Sequence, residues 1–166
     1  LVAEQVRTVG AALAARAMRG AHTVVAVDAT GITAWRDQVG FGPLFHASSD
    51  GGRRVALCSE PLPALLSLGV RPTPALDGIS SVFWEYAEED APTPWAGAHR
   101  IPKATLVTAD HRGLRLSGRY WSPEPLLEGR PLDGLRLQEE FDERFERAVD
   151  RVLRGRDVIA LSGGVD

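Results

Sequence analysis

Thr23-Val24-Val25-Ala26-Val27-Asp28-Ala29-Thr30-Gly31-Ile32-Thr33-Ala34-Trp35-Arg36 is a pair of short β-branched runs separated by a Gly-containing turn. β-Branched side chains favour extended backbone, and glycine lets the chain reverse sharply, so the stretch predicts a β-hairpin. The signature recurs twice downstream. Leu44-Phe45-His46-Ala47 and Arg54-Val55-Ala56-Leu57-Cys58-Ser59 flank Asp50-Gly51-Gly52, and Ala104-Thr105-Leu106-Val107-Thr108 and Leu114-Arg115-Leu116-Ser117 flank residues 110–113. The first two hairpins predict an antiparallel sheet with one buried face.

Outward from the hairpins the period changes to that of helices. Val2, Val6, Val9, Leu13 and Met18 predict a helix over 2–18 stopped by Gly20. Residues 61–68 (PLPALLSL) predict a short helix ended by Gly69, and 74–89 another, carrying Leu76, Ile79, Val82, Phe83 and Tyr86. Residues 123–134 are rich in Pro, Gly and charge without a period and read as a linker. Beyond it Phe141, Phe145, Ala148, Val149, Val152 and Leu153 recur at helical spacing with Glu, Asp and Arg on the other face, which predicts a helix over 137–153. The expected class is α+β, with antiparallel hairpins over 1–122 and the start of an α/β unit over 135–166.

Composition narrows the function classes. The 166 residues carry 44% hydrophobic and 25% charged side chains, which supports a real core. The formal net charge of -3 recommends neither nucleic acid nor an acidic membrane surface as partner. Cys58 is the sole cysteine, so no internal disulfide framework exists; it fits a reducing compartment, and a cytoplasmic location is expected. In mid-strand it reads as a buried, inert thiol. His22, His46, His99 and His111 are too widely spaced for a zinc motif. Glu88-Glu89-Asp90 reads as a solvated helix end, and Trp84, Trp95 and Trp121 as packing residues. The chain starts at Leu1 and stops at Asp166 just after Gly163-Gly164, and both points read as cuts in a longer protein.

Chemistry concentrates at 157–166 (DVIALSGGVD). Glycines after a buried apolar run allow a turn that aims successive backbone N–H groups at one point, and Ser162 adds a hydroxyl. Such a loop cradles phosphate, with Asp166 placed to hold Mg2+. Five residues of this kind are also found in ordinary strand-ending turns, and on them alone the turn is the better reading. The glycine spacing fits neither a Walker A loop nor a dinucleotide fingerprint.

The stretch from Leu161 to Asp166 resembles the pyrophosphate-binding loop of the ATP pyrophosphatase (PP-loop) enzymes. What precedes it resembles the glutamine-hydrolysing asparagine synthase family. The matching pieces are Arg36-Asp37-x-x-Gly40-x-x-Pro43-Leu44-Phe45, Ser59-Glu60 with Ala64-Leu65-Leu66, Thr93-x-x-x-Gly97-x-x-Arg100-Ile101-Pro102, and Arg119-Tyr120-Trp121-x-Pro123. They stand in the family's order from about Gly20 onward. The resemblance implies the back part of an N-terminal-nucleophile (Ntn) glutaminase domain, a sandwich of antiparallel sheets, followed by the head of a PP-loop synthetase domain. It implies ATP and Mg2+ as cofactors, with Leu161, Ser162, Gly163, Gly164 and Asp166 at the ATP and pyrophosphate and Asp166 at the metal. Aspartate, or another carboxylate, would be activated as an acyl-adenylate and glutamine would supply ammonia; a homodimer is one assembly open to it. No catalytic residue is expected within the segment, because the family's nucleophilic cysteine lies upstream.

Other readings stand beside it. An amide-forming cyclase of the same architecture, such as a β-lactam synthetase or lasso-peptide cyclase, is kept open by Val39 and Lys103, where the family more often has an aromatic and a proline. In a binding or scaffolding domain, residues 162–166 would be a turn only. A sulfur-transfer or nucleotide-modifying PP-loop enzyme is disfavoured by the hairpin-rich region before Arg119. Arg36-Asp37 itself reads either as a catalytic pair or, preferably, as an ion pair or turn cap shaping the hairpin end.

Overall fold

The computed structural model describes residues 2–83, 92–129, 134–153, 155 and 157. The chain divides into two compact units, Leu1–Pro123 and Glu124–Asp166. The first is a mixed α+β unit with two small antiparallel sheets.

Its order is α1 (Val2–Val9), α2 (Ala11–Ala17), β1 (Thr23–Asp28), β2 (Gly31–Arg36), β3 (Phe45–Ser49), β4 (Arg54–Cys58), α3 (Pro61–Ser67), α4 (Leu76–Phe83), β5 (Ala98–Arg100), β6 (Thr105–Asp110) and β7 (Gly113–Arg119). The single helix expected over 2–18 is two. Gly10 takes φ 83, a backbone conformation that favours glycine and ends one helix before the next begins. The helix expected over 74–89 is described as Leu76–Phe83, and its remainder lies outside the described residues.

All three expected hairpins form. Thr23 to Asp28 pair with Arg36 to Gly31, Phe45 to Ser49 with Cys58 to Arg54, and Thr105 to Asp110 with Arg119 to Gly113, the last across a bulge between Thr105 and Val107. The first two do not share the one sheet that the sequence alone predicts. The first and third join through β2 and β6 into the order β1-β2-β6-β7, whereas the second recruits β5 into β4-β3-β5. β5 has no sequence signal of its own; its three residues are extended because β3 offers a second hydrogen-bonding edge.

Side-chain alternation along the strands then sorts the core into clusters. On β2, Trp35 packs with Ala15, Ala104 and Tyr120 beneath α1 and α2, while its neighbour Ala34 turns the other way to meet Leu44, Ile101 and Val107. On β4, Leu57 joins that second group, whereas Ala56 and Cys58 pack with Ala47, Ala64, Leu65, Leu68 and Ala98 beneath α3. Each sheet therefore has a helix on one face, and the two sheets share the cluster built on Ala34, Leu44, Ile101 and Val107.

The second unit contains α5 (Glu124–Leu127), a single turn inside the stretch read as aperiodic, and α6 (Gly134–Val152). The amphipathic pattern produced the expected helix. None of its residues is buried, and Leu135, Phe141, Phe145 and Val152 are all well exposed. Among the described residues no helix is long and apolar enough to cross a membrane.

Candidate functional site

Leu161, Ser162, Gly163, Gly164 and Asp166, the residues that the family resemblance would place at ATP, pyrophosphate and Mg2+, lie outside the described residues. So do the apolar run 158–160, Arg154, Arg156, Trp84 and the acidic trio 88–90. What the structure does build is the Arg36-Asp37 motif and its surroundings.

Asp37 follows directly on β2 and is fully buried. A buried carboxylate is tolerated only where donors replace the water it loses. Its Oδ1 accepts from the backbone N–H groups of Val39 (3.1 Å), Gly40 (2.7 Å) and Phe41 (3.1 Å), and its Oδ2 from Gly42 (2.6 Å) and His22 (3.4 Å). Burial pushes the Asp37 carboxyl up, but the amide donors of Gly42, Phe41, Gly40 and His22 outweigh it and hold it below the usual carboxylate range. With both oxygens occupied, Asp37 has no lone pair to offer a substrate. It is a turn cap, the preferred reading of the sequence.

Arg36 does the complementary task. Its Nε donates to Gly42 O (2.6 Å), its Nη1 to Ile101 O (2.7 Å) and its Nη2 to Gly40 O. One residue gathers the N–H groups of a tight loop and its neighbour the carbonyls. The glycines are sterically required. A Cβ at Gly42 would collide with His22 O, and Gly40 takes φ 80 with Arg36 Nη2 and Lys103 Cβ each 3.0 Å from where its Cβ would stand. Ala104, at φ 51, closes the ring by donating to Asp37 O (3.0 Å) and accepting from Tyr120 N (2.8 Å). Tyr120 Oη donates to Arg36 O at 2.5 Å; burial, then the Asp37 charge, pushes the phenol up to about 12. The clasp thus ties residues 36–42 to 101–104 and 120, the same stretches that carry the family-like motifs.

Beside the clasp lies a mainly apolar cleft of about 450 Å³, lined by His22, Val25, Phe41, Leu44, Leu57 and Cys58 among others. Phe41 is 77% exposed at its rim. Cys58 is free and half-buried, packed against the cluster beneath α3, rather than fully buried.

The structure brings two of the histidines together. His46 and His99 look remote in sequence, yet they stand opposite one another on β3 and β5, with ring centroids 5.3 Å apart and planes inclined by 30°. Burial and then the His99 charge lower the His46 pKa below its ordinary value. The register that joins them depends on β5, which local pattern did not reveal. Among the described residues no group of three or more His, Cys, Asp or Glu is placed to hold a metal ion.

No family model and no curated protein matches this sequence.

Proposed function

We propose that this chain is part of an ATP-dependent, amide-forming ligase resembling the glutamine-hydrolysing asparagine synthases. In this reading residues 1–122 belong to an Ntn-type glutaminase-like domain and residues 135–166 open a PP-loop synthetase domain. The observation that carries it is the ordered motif series from Arg36-Asp37 to Ser162-Gly163-Gly164-Val165-Asp166. The clasp supports it. Arg36, Asp37 and Gly40 each meet a demand of one closed loop, so that piece of the series forms a packed structural unit. The layering of helix, sheet, sheet and helix in the first unit also suits the antiparallel sandwich the reading requires.

On this reading the backbone N–H groups of Ser162, Gly163 and Gly164 receive the pyrophosphate of ATP, with Leu161 beside the adenosine and Asp166 toward Mg2+. Fixed N–H dipoles suit that task because negative charge accumulates on the departing pyrophosphate while the carboxylate is adenylated. Aspartate is the proposed carboxylate and glutamine the proposed source of ammonia.

The test is exchange of labelled pyrophosphate into ATP by the whole protein. Aspartate-dependent exchange is expected, with Asp166→Asn slower by about a hundredfold, the scale on which lost transition-state stabilisation is felt. Exchange that depends instead on a carboxylate carrying its own amine would replace aspartate by a cyclisation substrate. Absence of exchange with every candidate acid, in folded protein supplied with Mg2+, would overturn the reading.

A further inference from the structure

The His46–His99 pair has a feature that its packing leaves unexplained. His46 Nδ1 is buried and has no hydrogen-bond partner among the described residues. A buried imidazole nitrogen without a partner is costly, and in folded proteins such an atom commonly faces a water or an ion. Here the group directly across the ladder is a second imidazole, His99, which is exposed.

We propose that His46 and His99 form a cross-strand site for a borderline divalent transition-metal ion of the Cu2+ or Zn2+ class. Residues directly opposed in an antiparallel ladder have Cβ atoms about 4.5–5.5 Å apart, close enough for two imidazoles to converge on one ion. The terminal torsion of histidine is soft, so the exposed His99 ring can turn a nitrogen toward His46 without leaving a rotamer well. Imidazole nitrogens select Cu2+, Zn2+ and Ni2+ over Mg2+ and Ca2+, and among these Cu2+ binds most strongly. A metal ion takes the lone pair of a neutral imidazole nitrogen. Two protein nitrogens leave further coordination positions for water or a small ligand. The site is independent of the ligase reading and lies on different residues from it.

Titration of the whole protein with Cu2+ at pH 7.5, followed by calorimetry and electron paramagnetic resonance, tests the proposal. The expected result is one ion per chain with a spectrum showing two equatorial nitrogens. His99→Ala should weaken binding about tenfold or more and reduce the nitrogen count, whereas His111→Ala, at the β6–β7 turn, should leave both unchanged. Zn2+ should compete for the site and Mg2+ should not. Because His46 is partly buried, His46→Gln is read only alongside a folded circular dichroism spectrum, and the exposed His99 variant decides the matter. Copper affinity and spectrum identical in wild type and His99→Ala would overturn the assignment, as would the absence of binding.

Discussion

The loop after β2 and the helix α6 both use charged side chains close in sequence, and they use them in opposite ways. At the loop, Asp37 and Arg36 are withdrawn from water and bond to a series of backbone groups, some far along the chain. On α6, Glu140 pairs with Arg144 and Glu143 with Arg147 at i,i+4 spacing on an exposed surface. A charge removed from water must be satisfied completely, and failure is costly. A charge left in water gains little from its neighbour and loses little without it. The first region holds a tertiary structure together, and the second decorates a helix.

Four changes sharpen that contrast, and Trp35, Trp84, Trp95 and Trp121 provide a probe confined to the first unit, since all precede residue 124. Asp37→Ala should have the largest effect. It strands the N–H groups of Gly40, Phe41 and Gly42 and should cost about 4 kcal/mol in urea unfolding followed by tryptophan fluorescence. A loss below about 1 kcal/mol would mean that the amides find water and that the clasp is dispensable. Gly42→Ala should follow, at about 2–3 kcal/mol, because its methyl meets the His22 carbonyl in a site with no room to yield.

Third is the response to acid. His46 binds its proton less readily folded than unfolded, so the unfolded chain holds more protons as the pH falls. Its contribution is fully present above the ordinary value of 6.5 and drains away as the pH drops from there through the depressed folded value. Unfolding midpoints measured between pH 7.5 and 5 should fall, and His46→Leu should flatten that slope. An unchanged slope in the variant would assign the acid response to other groups.

The smallest effect belongs to α6. Arg144→Ala should reduce helix stability by only about 0.3 kcal/mol, visible as a salt-sensitive change in far-ultraviolet circular dichroism and silent in tryptophan fluorescence.

Much of the local structure was legible before any coordinates. The β-branched run through Val24, Val25 and Val27 and the glycines at 31, 51, 52 and 113 mark hairpins because both signals act between neighbours. Pro61 at the start of α3 is a local signal of the same kind. β5 was not legible, since Ala98-His99-Arg100 has little strand preference and is extended only by pairing with β3. The break at Gly10 was visible as a residue but not as a break, because apolar spacing on either side runs through it. At the clasp, the sequence offered Asp37 as a cap or a catalytic group. Its burial and the donors on both oxygens settled that choice, and neither is a property of the motif by itself. The glycine at 42 and the tyrosine at 120 join the clasp through contacts that no sequence spacing encodes.

What the sequence by itself determined, then, is most of the inventory: the three hairpins, the main helices, their order, and the α+β class, but not β5, α5 or the break at Gly10. Period, turn chemistry and capping act over a few residues, so they survive without knowledge of the rest of the chain. Only the tertiary structure decided that the first and third hairpins join through β2 and β6 while the second takes β5, that Arg36 reaches Ile101, and that His46 meets His99. Those pairings close long loops, and what selects them is the joint burial of Ala34, Leu44, Ile101 and Val107 together with full satisfaction of the buried Asp37. Both are properties of the assembled core, which no local window contains.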